Sequence, residues 1–185
     1  MPIGALVLAG GASRRLGEDK TVALIDGVPL LDRVLGALGD DVEVIVVGPP
    51  RRTARPVRFV LEQPPGGGPV AALAAGLAEL ATDRCFLLAA DLPFLTAEAL
   101  AQLARAGGPH MDGAVAVDSS GREQPLLSYW VTGALRAALP PVPAGARLRE
   151  MLSRLSYVTV RLAGDRPPEY DCDTPEALER ARTWA

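Results

Sequence analysis

The residues best suited to chemistry sit early in the chain. Leu8-Ala9-Gly10-Gly11-Ala12-Ser13-Arg14-Arg15-Leu16-Gly17-Glu18-Asp19-Lys20 follows a short apolar run and combines small residues, two adjacent arginines, a third glycine and a lysine. Gly10 and Gly11 offer backbone N–H groups with no side chain in the way, while Arg14, Arg15 and Lys20 carry charge that could neutralise a polyphosphate. Of the 19 basic residues, 18 are arginine and Lys20 is the only lysine. A codon bias towards Ala, Gly, Pro and Arg explains the arginines but not the exception. A compact ammonium on a flexible stem is the shape suited to a phosphate oxygen. The loop fits neither common nucleotide motif: Glu18 and Asp19 separate Gly17 from Lys20 where a P-loop needs Gly-Lys, and GxGxxG is absent. The alternative reading is a solvated basic loop.

A second centre lies at Asp91, which ends the apolar run Cys85 to Ala90, with the strand-stopping Pro93 two residues on. An isolated carboxylate there is costly to bury. Its natural companion is a divalent cation bridging it to substrate phosphates, and the alternative is an acid capping the helix that begins near Thr96. Cys85 and Cys172 are far apart in sequence and His110 is the only histidine, which argues against a disulfide scaffold and a Cys/His zinc site. Any metal would be held by oxygen.

Short apolar runs alternate with helical periods and would hold these groups in place. Ile3 to Leu8, Val42 to Val47, Val57 to Leu61, Cys85 to Ala89, Ala114 to Val117 and Leu126 to Trp130 read as strands, the first four uniform enough to be buried on both faces. Between them, Leu30 to Leu38, Val70 to Leu80 and Leu148 to Leu155 carry apolar stripes at helical spacing. A last helix is announced by Thr174, Pro175 and Glu176. The pattern predicts an α/β fold, a Rossmann-like three-layer sandwich with a mostly parallel twisted sheet and helices on both faces. Ligands of such sheets bind beyond the carboxyl ends of the strands, so chemistry is expected in the loops there. Gln63 to Pro69, with three consecutive glycines, is one such loop.

With 185 residues, 49% of them apolar, the chain is expected to make one domain over residues 1–185. A formal charge of −3 lacks the basic footprint of a nucleic-acid binder. The first apolar run is too short to span a bilayer and has no signal-peptide features, so no membrane association and a cytoplasmic location are expected.

Taken in order, the motifs resemble those of the molybdenum cofactor guanylyltransferases, nucleotidyltransferases that attach a nucleotide to molybdopterin. Leu8 to Lys20 is similar to the family's LAGG, arginine pair and DK. Gly67-Gly68-Pro69-Val70-Ala71-Ala72 resembles its GPLAG loop and Ala90-Asp91-Leu92-Pro93-Phe94-Leu95 its CDxPFL loop. Gln124-Pro125-Leu126 and Asp171-Cys172-Asp173-Thr174-Pro175-Glu176 are similar to its QPL strand and NxNTPED terminus. The resemblance spans nearly the whole chain.

It implies transfer of GMP from GTP to the molybdopterin cofactor with release of pyrophosphate. Leu8, Ala9, Gly10 and Gly11 would hold purine and ribose, and Arg14, Arg15 and Lys20 the triphosphate, with Ser13 among the nucleotide contacts. Glu62, Gly67 and Gly68 are further nucleotide contacts by the same resemblance. Lys20, Arg15 and Asp91 would be catalytic, with Mg2+ held by Asp91 and Asp173. GTP and molybdopterin are the implied substrates, with transient contact to other cofactor-biosynthesis proteins or molybdoenzymes. The chain departs from the pattern at Asp173, where the family more often has Asn, at Ala72, where a glycine is lost, and at Glu62, where it has Asp. Asp173 is also the residue of cytidylyltransferase relatives. Use of CTP, or a nucleotide-binding adaptor without the chemistry, are the alternatives. Arg122, Glu123, Gln124, Arg147 and Arg149 lie where the second substrate could dock, with solvated surface the favoured reading.

Overall fold

Nine strands and six α-helices alternate along the described residues of the computed structural model, 2–10 and 20–184. The strands are β1 (Ile3–Leu8), β2 (Leu24–Ile25), β3 (Val28–Pro29), β4 (Glu43–Val47), β5 (Arg58–Val60), β6 (Arg84–Ala89), β7 (Gly113–Val117), β8 (Glu123–Val131) and β9 (Tyr157–Arg161). The helices are α1 (Leu30–Gly36), α2 (Pro69–Glu79), α3 (Ala97–Ala106), α4 (Thr132–Ala138), α5 (Leu148–Leu152) and α6 (Pro175–Trp184). Seven strands form one sheet in the order β5-β4-β1-β6-β8-β7-β9, while β2 and β3 make a separate hairpin. All pairings in the large sheet are parallel except those of β8, which runs antiparallel to both β6 and β7.

The period-two alternation of strand side chains divides the core into two layers. From β1, Ala5 and Val7 join α1 and α3 through Leu31, Val34, Leu35, Leu100 and Leu103. Leu6 and Leu8 point the other way and pack with Leu73 and Leu77 of α2, Leu135 of α4 and Met151 of α5. Helices therefore cover both faces, giving the expected three-layer α/β sandwich. Each fully buried leucine or valine contributes roughly 1.5–3 kcal/mol of burial free energy.

The expectation of two-sided burial holds for β1, β4 and β6 but not for the run Val57 to Leu61. That run is the edge strand β5, with Arg58 exposed, Phe59 and Val60 half-buried and Leu61 beyond it exposed. An edge strand has a neighbour on one side only, so its apolar residues reflect partial cover by the adjoining loop and helix.

A smaller apolar cluster closes the carboxyl-end rim. Ile25 and Leu30 from the hairpin region meet Phe94 after β6, and Cys172 and Ala181 from the chain's last segment. Phe94, Tyr170 and Trp184 stack beside it with ring centroids 5.0 to 5.9 Å apart. Arg182 donates to the Leu24 carbonyl at 3.0 Å, tying α6 to the hairpin. The last helix is thus docked where the strand-end loops converge.

Candidate active site

The site is assembled at the carboxyl ends of β1 and β6, neighbours in the middle of the sheet. Ala90 N–H donates to the Leu8 carbonyl at 3.2 Å, so the segments leading to Gly10 and to Asp91 leave the sheet side by side. On the other side of β1, Ala9 N–H donates to the Val47 carbonyl at 2.8 Å. Gly48, just after β4, is set against this turn: a Cβ on it would lie 2.9 Å from the carbonyl carbon and oxygen of Ala9. Only glycine permits that approach. Gly48 belongs to the framework of the loop although no motif singles it out. The signal was present in the glycine that ends the apolar run Val42 to Val47.

Glu62 stands over Gly10. A Cβ on Gly10 would be 3.6 Å from a Glu62 carboxylate oxygen, and the same carboxylate accepts from Gly66 N–H at 3.2 Å. The glycine loop is pinned by Gly67 N–H to the Pro64 carbonyl at 3.0 Å and by Gly145 N–H to the Gly67 carbonyl at 2.8 Å. Gly68, with φ of +90°, occupies the N-cap position of α2 and lets Pro69 open the helix. Leu8, Ala9, Gly10, Glu62, Gly67 and Gly68 therefore share one rim of the crevice. Ala72 does not reach it: its methyl is buried in the core layer beneath α2.

Asp91 is half-buried at the divide. Cys172 N–H donates to the Asp91 carbonyl at 3.2 Å, which brings Asp173 into the same region although the two lie at opposite ends of the second half of the chain. Asp173 precedes α6, whose start is capped by the Thr174 hydroxyl accepting from Ala177 N–H at 3.1 Å. Backbone N–H and the Thr174 hydroxyl hold the Glu176 carboxyl below the usual carboxylate range. The last-helix prediction is realised in these contacts. Among the described residues no group of three or more His, Cys, Asp or Glu side chains could hold a metal ion. Asp91 and Asp173 would offer a metal ion two carboxylates. That fits magnesium, which takes one or two carboxylates and fills its octahedron with water and phosphate oxygens.

Beyond Asp173 a cavity of about 410 Å³ opens between two walls. One wall is the turn joining β7 to β8, with Asp118, Ser119, Arg122 and Gln124; the other is the segment before α6, including Glu169, Tyr170 and Asp171. Its volume lies within the range of small-molecule sites. The Tyr170 hydroxyl donates to the Ala177 carbonyl at 2.9 Å, and burial raises its pKa. Of the residues read as possible docking groups, Arg122 and Gln124 line this cavity. Arg147 lines a separate small cavity near α5, Arg149 donates to the Glu123 carbonyl at 2.6 Å, and Glu123 accepts from the Tyr157 hydroxyl. Asp118 and Glu169 were missed. An Asp-Ser-Ser-Gly turn between two strands marks the former, whereas nothing local marks Glu169.

Gly11, Ser13, Arg14, Arg15 and the side chain of Lys20 lie outside the described residues. The chain becomes described again at Lys20, whose backbone opens a single 3-10 turn, Lys20–Val22, just before the β2–β3 hairpin.

Residues 5–160 match the family described as the MobA-like NTP transferase domain. The chain is 32% identical over 192 residues to the molybdenum cofactor guanylyltransferase of Rhodobacter capsulatus, covering 98% of this chain and 95% of that protein. It is 33% identical over 165 residues to a probable molybdenum cofactor guanylyltransferase of Deinococcus radiodurans, covering 89% and 85% of the two chains. In fold it is similar to the crystal structure of molybdopterin-guanine dinucleotide biosynthesis protein A from Archaeoglobus fulgidus, at a TM-score of 0.76 and 23% identity over 98% of this chain and 97% of that one. A 2-C-methyl-D-erythritol 4-phosphate cytidylyltransferase from Thermus thermophilus shares the fold at a TM-score of 0.70 and 18% identity, covering 100% and 98%. With the described parts of its motif loops gathered at the carboxyl ends of β1 and β6 and its relatives matched along nearly their whole length, this chain belongs to the MobA-like NTP transferase family and is a nucleotidyltransferase.

Proposed function

We propose that this protein transfers GMP from GTP to the molybdopterin cofactor, forming molybdopterin guanine dinucleotide and pyrophosphate. The observation that carries this reading is the Cys172–Asp91 backbone bond, which joins the nucleotide-side loops to the cavity that extends past Asp173. A transferase for two bulky substrates needs such a pair of adjoining spaces with carboxylates between them. The guanylyltransferase name of relatives matched along almost their full length supports guanine as the base.

In this reading, Leu8 to Gly11, Glu62 and the Gly67-Gly68 loop receive the nucleoside, and Ser13, Arg14, Arg15 and Lys20 the triphosphate. The molybdopterin phosphate occupies the cavity. A phosphate oxygen of the acceptor attacks the α-phosphorus of GTP in line, the bond from that phosphorus to the bridging oxygen breaks, and the electron pair leaves with pyrophosphate. Asp91 and Asp173 would hold Mg2+, which when bound supplies positive charge to the phosphate oxygens. Arg15 and Lys20 balance the charge that accumulates on the leaving pyrophosphate. The chain acts as one nucleotidyltransferase domain over residues 1–185. We place its work in the cytoplasm and expect transient contact with other cofactor-biosynthesis proteins or molybdoenzymes. No helix among the described residues is long and apolar enough to cross a membrane.

Isothermal titration with GTP and with CTP, each with and without magnesium, tests the nucleotide. Assay of pyrophosphate release in the presence of molybdopterin tests the transfer. Magnesium-dependent preference for GTP and acceptor-dependent pyrophosphate are expected; a preference for CTP would reassign the base, and GTP binding without transfer would reject the acceptor.

A further inference from the structure

The turn between β7 and β8 is held by one carboxylate with more bonds than a turn requires. Asp118 Oδ1 accepts from Ser120 N–H at 2.9 Å, the Ser120 hydroxyl at 2.6 Å and Arg122 N–H at 2.9 Å. Its Oδ2 accepts from the Gln124 side-chain amide at 3.2 Å. Backbone bonds alone already close the turn, from Asp118 N–H to the Arg122 carbonyl at 3.0 Å and from Gly121 N–H to the Asp118 carbonyl at 2.9 Å. From β9, Arg161 donates to the Ser119 carbonyl at 3.1 Å. The Ser120 hydroxyl, followed by backbone N–H groups, holds the Asp118 carboxyl below the usual range, so it stays an acceptor. What the extra bonds fix is the backbone of Arg122 and the side-chain amide of Gln124, two residues of the cavity wall.

The strand behind the turn is braced to the same end. Pairing of β7 with β8 shifts register between Val115 and Ala116, which face Ser128 and Gln124 respectively, leaving Pro125, Leu126 and Leu127 without partners on β7. A bulge of this kind re-aims the side chains beyond it and accommodates proline. It is closed by the buried Ser128 hydroxyl, which donates to the Pro125 carbonyl at 2.7 Å and accepts from Trp130 Nε1 at 2.7 Å. Gln124 is therefore held from the bulge on one side and from Asp118 on the other. Among the described residues lining the cavity, Arg122 is the only cation, beside the carboxylates of Asp118, Glu169, Asp171 and Asp173.

We propose that Asp118 is a positioning residue for the acceptor, holding the Gln124 amide, and the turn that carries Arg122, ready to engage an incoming phosphate-bearing pterin. The inference rests on the reading that the acceptor enters this cavity. An amide already fixed in place loses less side-chain freedom when it takes up a ligand oxygen. A positioning carboxylate of this kind acts on acceptor affinity and leaves the nucleotide side alone.

Guanylyl transfer measured against acceptor concentration at saturating GTP tests this. Asp118→Ala is expected to raise the acceptor KM about tenfold with kcat changed less than about threefold, while Asp118→Asn, which keeps an acceptor oxygen for the turn but sets its NH2 group against the Gln124 amide, raises it by less, about threefold. Gln124→Ala is expected to match Asp118→Ala, and the double variant to be no worse than Gln124→Ala alone, since both remove one arrangement. GTP affinity by titration is expected to be unchanged in all of them. An unchanged acceptor KM in Asp118→Ala, equal weakening of GTP, or multiplied effects in the double variant overturn the inference. If the alanine variant does not fold, Asp118→Ser keeps one turn bond without reaching Gln124, and a wild-type KM there is equally decisive against it. Wild-type protein that binds GTP but transfers nothing overturns the functional reading instead.

Discussion

Lys20 and Asp91 divide the chemistry into a cation and an anion. Lys20→Ala is expected to lower kcat/KM for guanylyl transfer by about two orders of magnitude or more, with an unchanged thermal midpoint, because its contribution is to transition-state charge. Lys20→Arg would recover only part of the loss, since a planar fork does not replace a point ammonium at a phosphate oxygen. Steady-state kinetics beside a melting curve separates these effects. Asp91→Asn keeps the shape but removes the charge, and the expected result is GTP binding that no longer tightens with magnesium, read by titration. Both residues stood out in the sequence for reasons of chemistry: one is the only lysine, the other is an acid at the end of a buried run. Glu169 did not, because its place in the cavity wall depends on how the segment before α6 is docked.

At the scale of the element, packing on both faces wrote itself plainly into the sequence. β1, β4 and β6 were legible as uniform apolar runs and α2 as a stripe. β9 was not, since Tyr157 to Arg161 is only half covered and alternates without a clear apolar face. The β2–β3 hairpin was overlooked although Asp26 and Gly27, both with positive φ, form the kind of two-residue turn that joins short strands. The antiparallel run of β8 was invisible because it depends on a bulge and on two neighbours. Ser128→Ala is expected to strip Trp130 Nε1 of its acceptor and the Pro125 carbonyl of a donor, costing about 1–3 kcal/mol by urea unfolding. Gly48→Ala is expected to push the Ala9 turn aside, weakening GTP binding and costing roughly 1–3 kcal/mol of stability.

For the whole molecule, the order β5-β4-β1-β6-β8-β7-β9 separates two jobs. Strands on the β4 side of β1 frame the nucleotide loops, whereas β8 and β7 carry the cavity turn, and β6 ends between them at Asp91. Alternation of strands and helices predicts the layered class but not this division, which follows from where the antiparallel strand inserts. Stability has its own pH limit. Burial raises the Cys85 thiol from about 9 to about 11, with the Thr132 hydroxyl and Arg136 pulling it partly back. Its folded pKa lies above its unfolded one, so its contribution is complete below about pH 9 and is lost as pH rises through about 11. Chemical unfolding at a series of alkaline pH values is expected to show this decline, and Cys85→Ala to flatten it.

The two tryptophans give this enzyme a pair of built-in optical probes. Trp130 is wholly buried in the core, while Trp184 is 37% exposed and lies 5.0 Å from the ring of Tyr170 in the cavity wall. Emission from Trp130 is therefore expected to follow unfolding, and emission from Trp184, through its contact with Tyr170, to respond to occupancy of the cavity. A Trp130→Phe variant would leave a single tryptophan, excited selectively over the tyrosines, near the acceptor space, so that arrival of the second substrate can be timed in a stopped-flow instrument without any label.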